Sequence, residues 1–267
     1  AKDSVDITSS GFKNCMCSLN TGYEIHKEKL GKKEIKKEIS DRFGKYVKNN
    51  CAFWCVHPQF YNMKKGGINE NIMASKRKAR TAIKNNNYGA ASRWLSIYTV
   101  SRIETMTLEQ LAKKKCLTFI NPSGAALMPG SESRKYLRGV MGYKDNFIGY
   151  FSGTWDANND YGIGELAKIL GIKKLYLFGE LYKKECDGCL GSVYKLLKNK
   201  VEELKIIAPA SMLDKKMFLG ELKNILSAEE YGGYFGMDGT SVATDNEIKN
   251  ILGISLNKKW EELRKEL

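Results

Sequence analysis

A mainly α-helical protein is predicted, and three observations predict it. The 267 residues hold only four Pro. Apolar residues recur at steps of three and four along most of the chain, and alternating strand patterns are scarce. Three strings, Thr107-Leu-Glu-Gln110, Ser227-Ala-Glu-Glu230 and Thr244-Asp-Asn-Glu247, have the spacing of a capping box, in which a hydroxyl and a Glu or Gln side chain satisfy helix-start amides. Hydrophobic residues make up 42% of the chain, ample for a core at this length.

In chain order, residues 1–20 are polar and Ser/Thr-rich and read as an extended arm. Residues 27–49 place Leu30, Ile35, Ile39, Phe43 and Val47 on one stripe, an amphipathic helix with breaks at Gly31 and Gly44. A basic helix is expected over 69–85, then a polar Asn85-Asn-Asn87 run, then a buried helix over 90–105 carrying Trp94, Leu95, Ile97, Tyr98 and Val100. The Thr107 box starts another helix, whose end meets Lys113-Lys-Lys115, cations that suit its negative C-terminal dipole. Residues 121–130, with two Pro and two Gly, form a loop that divides or bridges two lobes. Beyond it come a short helix over 131–142, an ambiguous aromatic stretch over 145–153 and a turn at 155–160. A helix and a buried apolar segment then span 164–179, with helices expected over 191–205 and 211–226. The close sets Leu256, Trp260, Leu263 and Leu267 on one stripe. The predicted organisation is an N-terminal arm (1–26), a basic helical N-lobe (27–130), a helical C-lobe (131–245) and a C-terminal arm or helix (246–267).

The charge is unevenly distributed. The chain carries 44 Lys and Arg against 30 Asp and Glu, a net +14, and residues 27–115 hold 21 of the cations and only seven of the acids. Such a concentration makes a local field that draws polyanions. Its densest piece, Lys76-Arg-Lys-Ala-Arg80, places Met73, Lys76, Arg77, Arg80 and Lys84 at helical steps of three and four, so four cations project from one stripe without the acids at i±4 that pair an ordinary surface helix. Nearby aromatics add stacking surfaces, which favour a single strand over a duplex, although the cluster of Phe53, Trp54, Phe60 and Tyr61 reads first as core. The apolar runs are too short to cross a bilayer, and no helix joins a basic face to a strongly apolar exposed one, so no membrane partner is expected.

No positive signal for catalysis emerges. Neither His26 nor His57 lies in a recognisable nucleophile motif, and HExxH, GxSxG and P-loop strings are missing. Asp156, Asp160 and Glu165 form the one dense acidic group and are explained by a solvated turn. Cys186-Asp-Gly-Cys189 has zinc-site spacing and Cys51, Cys55 and His57 offer a second half, but no matching pair stands at the usual distance. The seven Cys are therefore expected as free thiols of a reducing compartment, with no metal and no cofactor.

The string Ala91-Ser-Arg-Trp-Leu-Ser-Ile97, followed by Met128-Pro129 and Tyr143, is similar in layout to the ARW helix and downstream MPL segment of orthobunyavirus nucleocapsids. Residues 85–91, Ser101-Arg102-Ile103 and Gly233-Tyr-Phe235 resemble the Asn-, Arg- and Gly-Tyr-containing blocks of plant emaravirus nucleocapsids, although the strict Asn-Arg-Leu-Ala block is missing. With a basic first half and a near-neutral second, the chain resembles the nucleocapsid proteins of segmented negative-strand RNA viruses, the bunyavirus order. That resemblance implies two helical lobes around a basic RNA-binding cleft, encapsidation of single-stranded genomic RNA without sequence specificity, terminal arms that build a homo-oligomer, a viral polymerase partner, and a place in the virion and host cytoplasm. Lys76, Arg77, Arg80, Lys84, Arg93, Arg102, Arg134, Lys135, Arg138 and Lys144 are the candidate phosphate contacts, Tyr88 and Tyr143 the stacking candidates, and Leu256, Trp260, Leu263 and Leu267 the candidate oligomerisation stripe, which packs either on a neighbouring subunit or on the chain's own body. The competing classes are a basic membrane- or partner-binding adaptor or matrix protein, and a metal-dependent nucleic-acid-processing enzyme.

Overall fold

The computed structural model of the chain describes residues 15–18, 24–26, 33–57, 63–64, 67–68, 70–121, 145–150, 163–183, 188–213 and 225–267. Its centre is a seven-stranded sheet, which corrects the mainly α expectation. The strands are β1 (Cys15–Ser18), β2 (Glu24–His26), β3 (Cys51–Val56), β6 (Thr118–Asn121), β7 (Phe147–Tyr150), β8 (Lys174–Tyr182) and β9 (Glu203–Leu213), in the spatial order β2-β1-β7-β6-β3-β8-β9. A separate two-stranded ribbon pairs β4 (Met63–Lys64) with β5 (Gly67–Ile68). From β7 to β9 all neighbours are parallel, and β1 and β2 close the other edge antiparallel. The two strands that the predicted N-lobe gives this one sheet, β6 and β3, lie between strands of the predicted C-lobe, which corrects the expectation of two helical lobes.

Numbered along the chain, the five parallel strands stand in space as third, second, first, fourth and fifth. This is the doubly wound pattern, with its switch of direction between β3 and β8. The described helices are α1 (Lys33–Phe43), α2 (Glu70–Lys84), α3 (Tyr88–Lys113), α4 (Ile163–Leu170), α5 (Gly188–Leu197), α6 (Ala228–Gly236), α7 (Asp245–Leu252) and α8 (Leu256–Lys265), of which α2, α3, α4 and α5 lie in crossovers between parallel strands. Right-handed crossovers run in opposite directions from the switch and so put α3 and α5 on opposite faces. α3 packs against β9 and α8, while α1 packs on α4.

Covering both faces explains why the strands escaped detection. Every residue of β3 is buried, and β9 is buried from Ile206 to Leu213. Such strands read as continuous apolar runs rather than alternating ones. The ambiguous 145–153 stretch contains β7, and the helix expected over 211–226 begins instead as the end of β9, with 214–224 outside the described residues. The helix expected over 191–205 stops at Leu197, and Glu203 already belongs to β9. Phe53 and Trp54, expected as core, lie in β3, with Phe53 stacked on Tyr176 at 5.2 Å between ring centroids.

The capping boxes divide. Ser227 makes the full reciprocal box with Glu230 at the start of α6. Thr244 caps α7, but the Glu247 carboxylate turns away to accept from Tyr176 and Lys205. Thr107 caps nothing: it is buried inside the 26-residue α3, its hydroxyl donating to the Ile103 carbonyl at 2.8 Å. Because that donation satisfies the hydroxyl within the helix, the helix runs through the expected break.

The C-terminal stripe is also reassigned. Leu256, Trp260 and Leu263 of α8 are buried against the chain's own body, and Leu267 is half-buried. A face already covered by α3, α6, α7 and β9 offers no apolar surface to a second subunit.

Candidate nucleic-acid interface

The basic first half of the chain reaches the surface through the α2–α3 pair. Ser75, Ala79 and Ala82 are buried along α2, and these small side chains let the two helices pack closely. The Asn run makes the connection. Asn86 takes φ +54, a conformation that Asn tolerates, and the Asn87 side chain caps α3 by accepting from the Ala90 amide at 3.1 Å.

Packing of α3 across α2 splits the cations of α2 between two sides. On one side a groove of about 430 Å³ is lined by Ala74, Arg77, Lys78, Thr81, Ala82, Asn85, Asn87 and Trp94. The Lys78 ammonium lies 4.3 Å from the centroid of the half-buried Trp94 ring, and the Arg93 guanidinium lies 5.2 Å from it. Among the described residues no acidic side chain lines the groove, and no carboxylate pairs with Arg77, Lys78, Lys84 or Arg93. On the other side the cations are engaged. Lys76 Nζ and Arg102 Nη1 lie 3.4 and 3.1 Å from the same Glu266 carboxylate oxygen, and Arg80 Nη2 donates to the Glu266 carbonyl at 2.9 Å. The Tyr98 hydroxyl donates to that carboxylate oxygen at 2.8 Å. This hydrogen bond, helped by the charges of Arg102 and Lys76, holds the Glu266 carboxyl below the usual carboxylate range.

The single stripe read from the sequence is thus divided. Arg77 lines the groove, Arg93 flanks its indole, and Lys84 is exposed near the end of α2; Lys76, Arg80 and Arg102 belong to the Glu266 cluster. Tyr88 sits at the helix connection, its hydroxyl donating to the Asn86 side chain at 2.8 Å. Arg134, Lys135, Arg138, Tyr143 and Lys144 lie outside the described residues. Lys78, Asn85, Asn87 and Trp94 were missed as site residues. The signal for Lys78 was its place inside the 76–80 basic string, but Trp94 read as buried because its apolar neighbours are.

A second region is defined by topology. In open parallel sheets, ligand crevices form beyond the carboxyl ends of the strands, at the switch point. Here that point is where β3 ends at Val56, level with Gly179 of β8, and His57 follows at φ +46. His57 is buried, among the described residues no hydrogen bond engages its imidazole, and burial lowers its pKa from 6.5 to about 4. Lack of a familiar catalytic string is therefore no ground for calling the chain a non-enzyme. Among the described residues no group of three or more His, Cys, Asp or Glu could hold a metal ion. Cys186 lies outside them, and Cys51, Cys55 and Cys116 are free thiols.

The lowered His57 pKa has a measurable effect on stability. Above pH 6.5 the imidazole is neutral in both folded and unfolded chains; between 6.5 and about 4 only the unfolded chain takes up the proton. Stability contributed above 6.5 is therefore lost as pH falls through this window, by roughly 3 kcal/mol in all. His57→Asn keeps a residue that accepts the left-handed conformation and is expected to flatten that part of a denaturant-derived stability profile. A profile as steep as that of the parent chain would assign the acid sensitivity to other groups.

No protein-family model and no curated protein matches the chain. Among solved structures, the MAR1 ribonuclease of Caenorhabditis elegans aligns over 80% of this chain and 87% of its own, at 13% sequence identity and a TM-score of 0.37. At that TM-score neither a common fold nor a common activity follows.

Proposed function

We propose that the chain binds single-stranded nucleic acid, RNA above all, along the α2–α3 groove. The observation that carries this reading is the Trp94 indole with the Lys78 and Arg93 cations beside it, at the rim of a groove whose described lining has no carboxylate. A base stacks on an aromatic face whatever its identity, while the neighbouring cations take the phosphates on either side. Arg77 and Lys84 continue the phosphate track along α2. Trp94, with Arg77, Lys78 and Arg93, is the core of the site, and the +14 charge gathered in residues 27–115 supplies the long-range attraction.

In its fuller form the reading is a nucleoprotein that coats a viral genome and works beside a polymerase in virion and host cytoplasm. The RNA-binding half of that reading has the groove behind it. The assembly half needs a surface other than the α8 stripe, which the chain itself covers.

Fluorescence anisotropy of the nuclease-treated protein with a labelled unstructured RNA, across a salt series, tests the proposal. Each phosphate contact adds about 0.7 to the salt slope for a single strand, so three or four contacts give a slope of roughly 2 to 3. Trp94→Ala should weaken binding by about 5- to 100-fold, matching the roughly 1–3 kcal/mol of one stacked base. Arg77, Lys78 and Arg93 changed together to Glu should abolish it with an unaltered circular dichroism spectrum. Full affinity in that triple variant would remove this groove from any RNA site.

A further inference from the structure

The cluster beside the groove is itself built like a phosphate site, and its occupant is the chain's own carboxylate. Lys76, Arg102 and the Tyr98 hydroxyl converge on one Glu266 oxygen at 3.4, 3.1 and 2.8 Å, and Arg80 binds the carbonyl of the same residue. Convergence of two cations and a hydroxyl on a single oxygen is the arrangement that charge-assisted recognition of an oxyanion requires. The Lys76 and Arg102 side chains are 16% and 17% exposed, whereas that of Glu266 is 44% exposed, so the receptor is the sheltered partner and the ligand the accessible one. Glu266 is the C-cap residue that follows α8, beyond the three buried anchors Leu256, Trp260 and Leu263. Its side chain can swing away while those anchors stay in place.

The cluster also stands close to the groove. Trp94, Tyr98 and Arg102 are four residues apart on α3, about 6 Å per step. Lys78 lies over the first ring at 4.3 Å and Lys76 over the second at 5.3 Å. A strand stacked at Trp94 that crosses α2 reaches the cluster on the other side, where the buried Tyr98 offers its hydroxyl.

The geometry points to a second, internally masked phosphate subsite: Lys76, Arg80, Tyr98 and Arg102 receive a backbone phosphate of the bound strand when it displaces the Glu266 side chain, so that carboxylate is a built-in competitor. This inference rests on the RNA-binding reading of the groove. It accounts for how cations that read as one phosphate track come to be engaged on one side of α2 and free on the other.

The test compares Glu266→Gln with Glu262→Gln in the full chain, using the same labelled unstructured RNA and salt series. Glu262, one turn earlier in α8, pairs with Lys259 at 2.7 Å and not with Lys76, Arg80 or Arg102, so its variant controls for the change in net charge. The Glu266 variant should bind at least fivefold tighter than the control. Its salt slope should steepen by about 1.4, two further cations, Lys76 and Arg102, at about 0.7 each. Adding Arg102→Gln to it should take back about 0.7 of that slope. Affinity and slope equal to the control, with the parent chain binding RNA, would overturn the masked subsite and leave the groove reading intact. No binding by the parent chain or any variant would overturn both.

Discussion

Replacing Gly179 with Ala is expected to abolish the native fold. A Cβ built on this residue would lie 2.1 Å from the Val56 carbonyl oxygen, and the backbone holds φ +111. The contact is between two central strands, so neither side has a flexible end that can move away, and the lost stability should exceed about 4 kcal/mol. Insoluble protein, or soluble protein without a cooperative denaturation curve, is the expected result. Gly171→Ala is the control: φ is +67 there too, but nothing lies within 4 Å of the added carbon. Only the left-handed backbone penalty of about 1–2 kcal/mol applies. A Gly179 variant as stable as the control would mean that β3 and β8 do not lie side by side as described, and the doubly wound sheet would fall with them.

Trp260→Ala is expected to cost about 3–5 kcal/mol without changing the mass of the particle in solution. The indole is fully buried, donates from Nε1 to the Leu226 carbonyl at 3.0 Å and packs on the Tyr231 ring at 4.5 Å between centroids. Denaturant titration reads the first quantity and light scattering the second. A stable variant that changed its oligomeric mass would return this stripe to a role between subunits.

These two residues also mark how far the sequence could be read. The amphipathic pattern of α8 was plain, and so were α1, α2 and the box that starts α6, because each depends on residues within a few positions of one another. Pattern alone shows that Trp260 has an apolar face to bury; what buries it is α3, α6, α7 and β9, brought there by long-range topology. Gly179 gave no warning, because its need for glycine comes from a strand more than a hundred residues earlier. The parallel strands left no alternation to find, since helices cover both of their faces. Thr107 showed the opposite error: its local spacing was correct for a cap, and a buried helical path through the site prevailed.

The site followed the same division. Concentration of positive charge in residues 27–115, and its peak at 76–80, could be counted directly. Its separation into an open groove at Arg77, Lys78 and Trp94 and a cluster engaged by Glu266 could not. Helical periodicity places neighbouring side chains on a face, but it does not say which face meets α3 or where the end of α8 comes to rest. By itself the sequence determined the helices with local signatures, the core-forming character of Phe53 and Trp54, and the basic first half, because these are properties of neighbouring residues. The tertiary structure alone decided the doubly wound sheet, the burial of the α8 stripe and the partition of the cations. Each of these depends on contacts between segments far apart in the chain, and no local pattern encodes them.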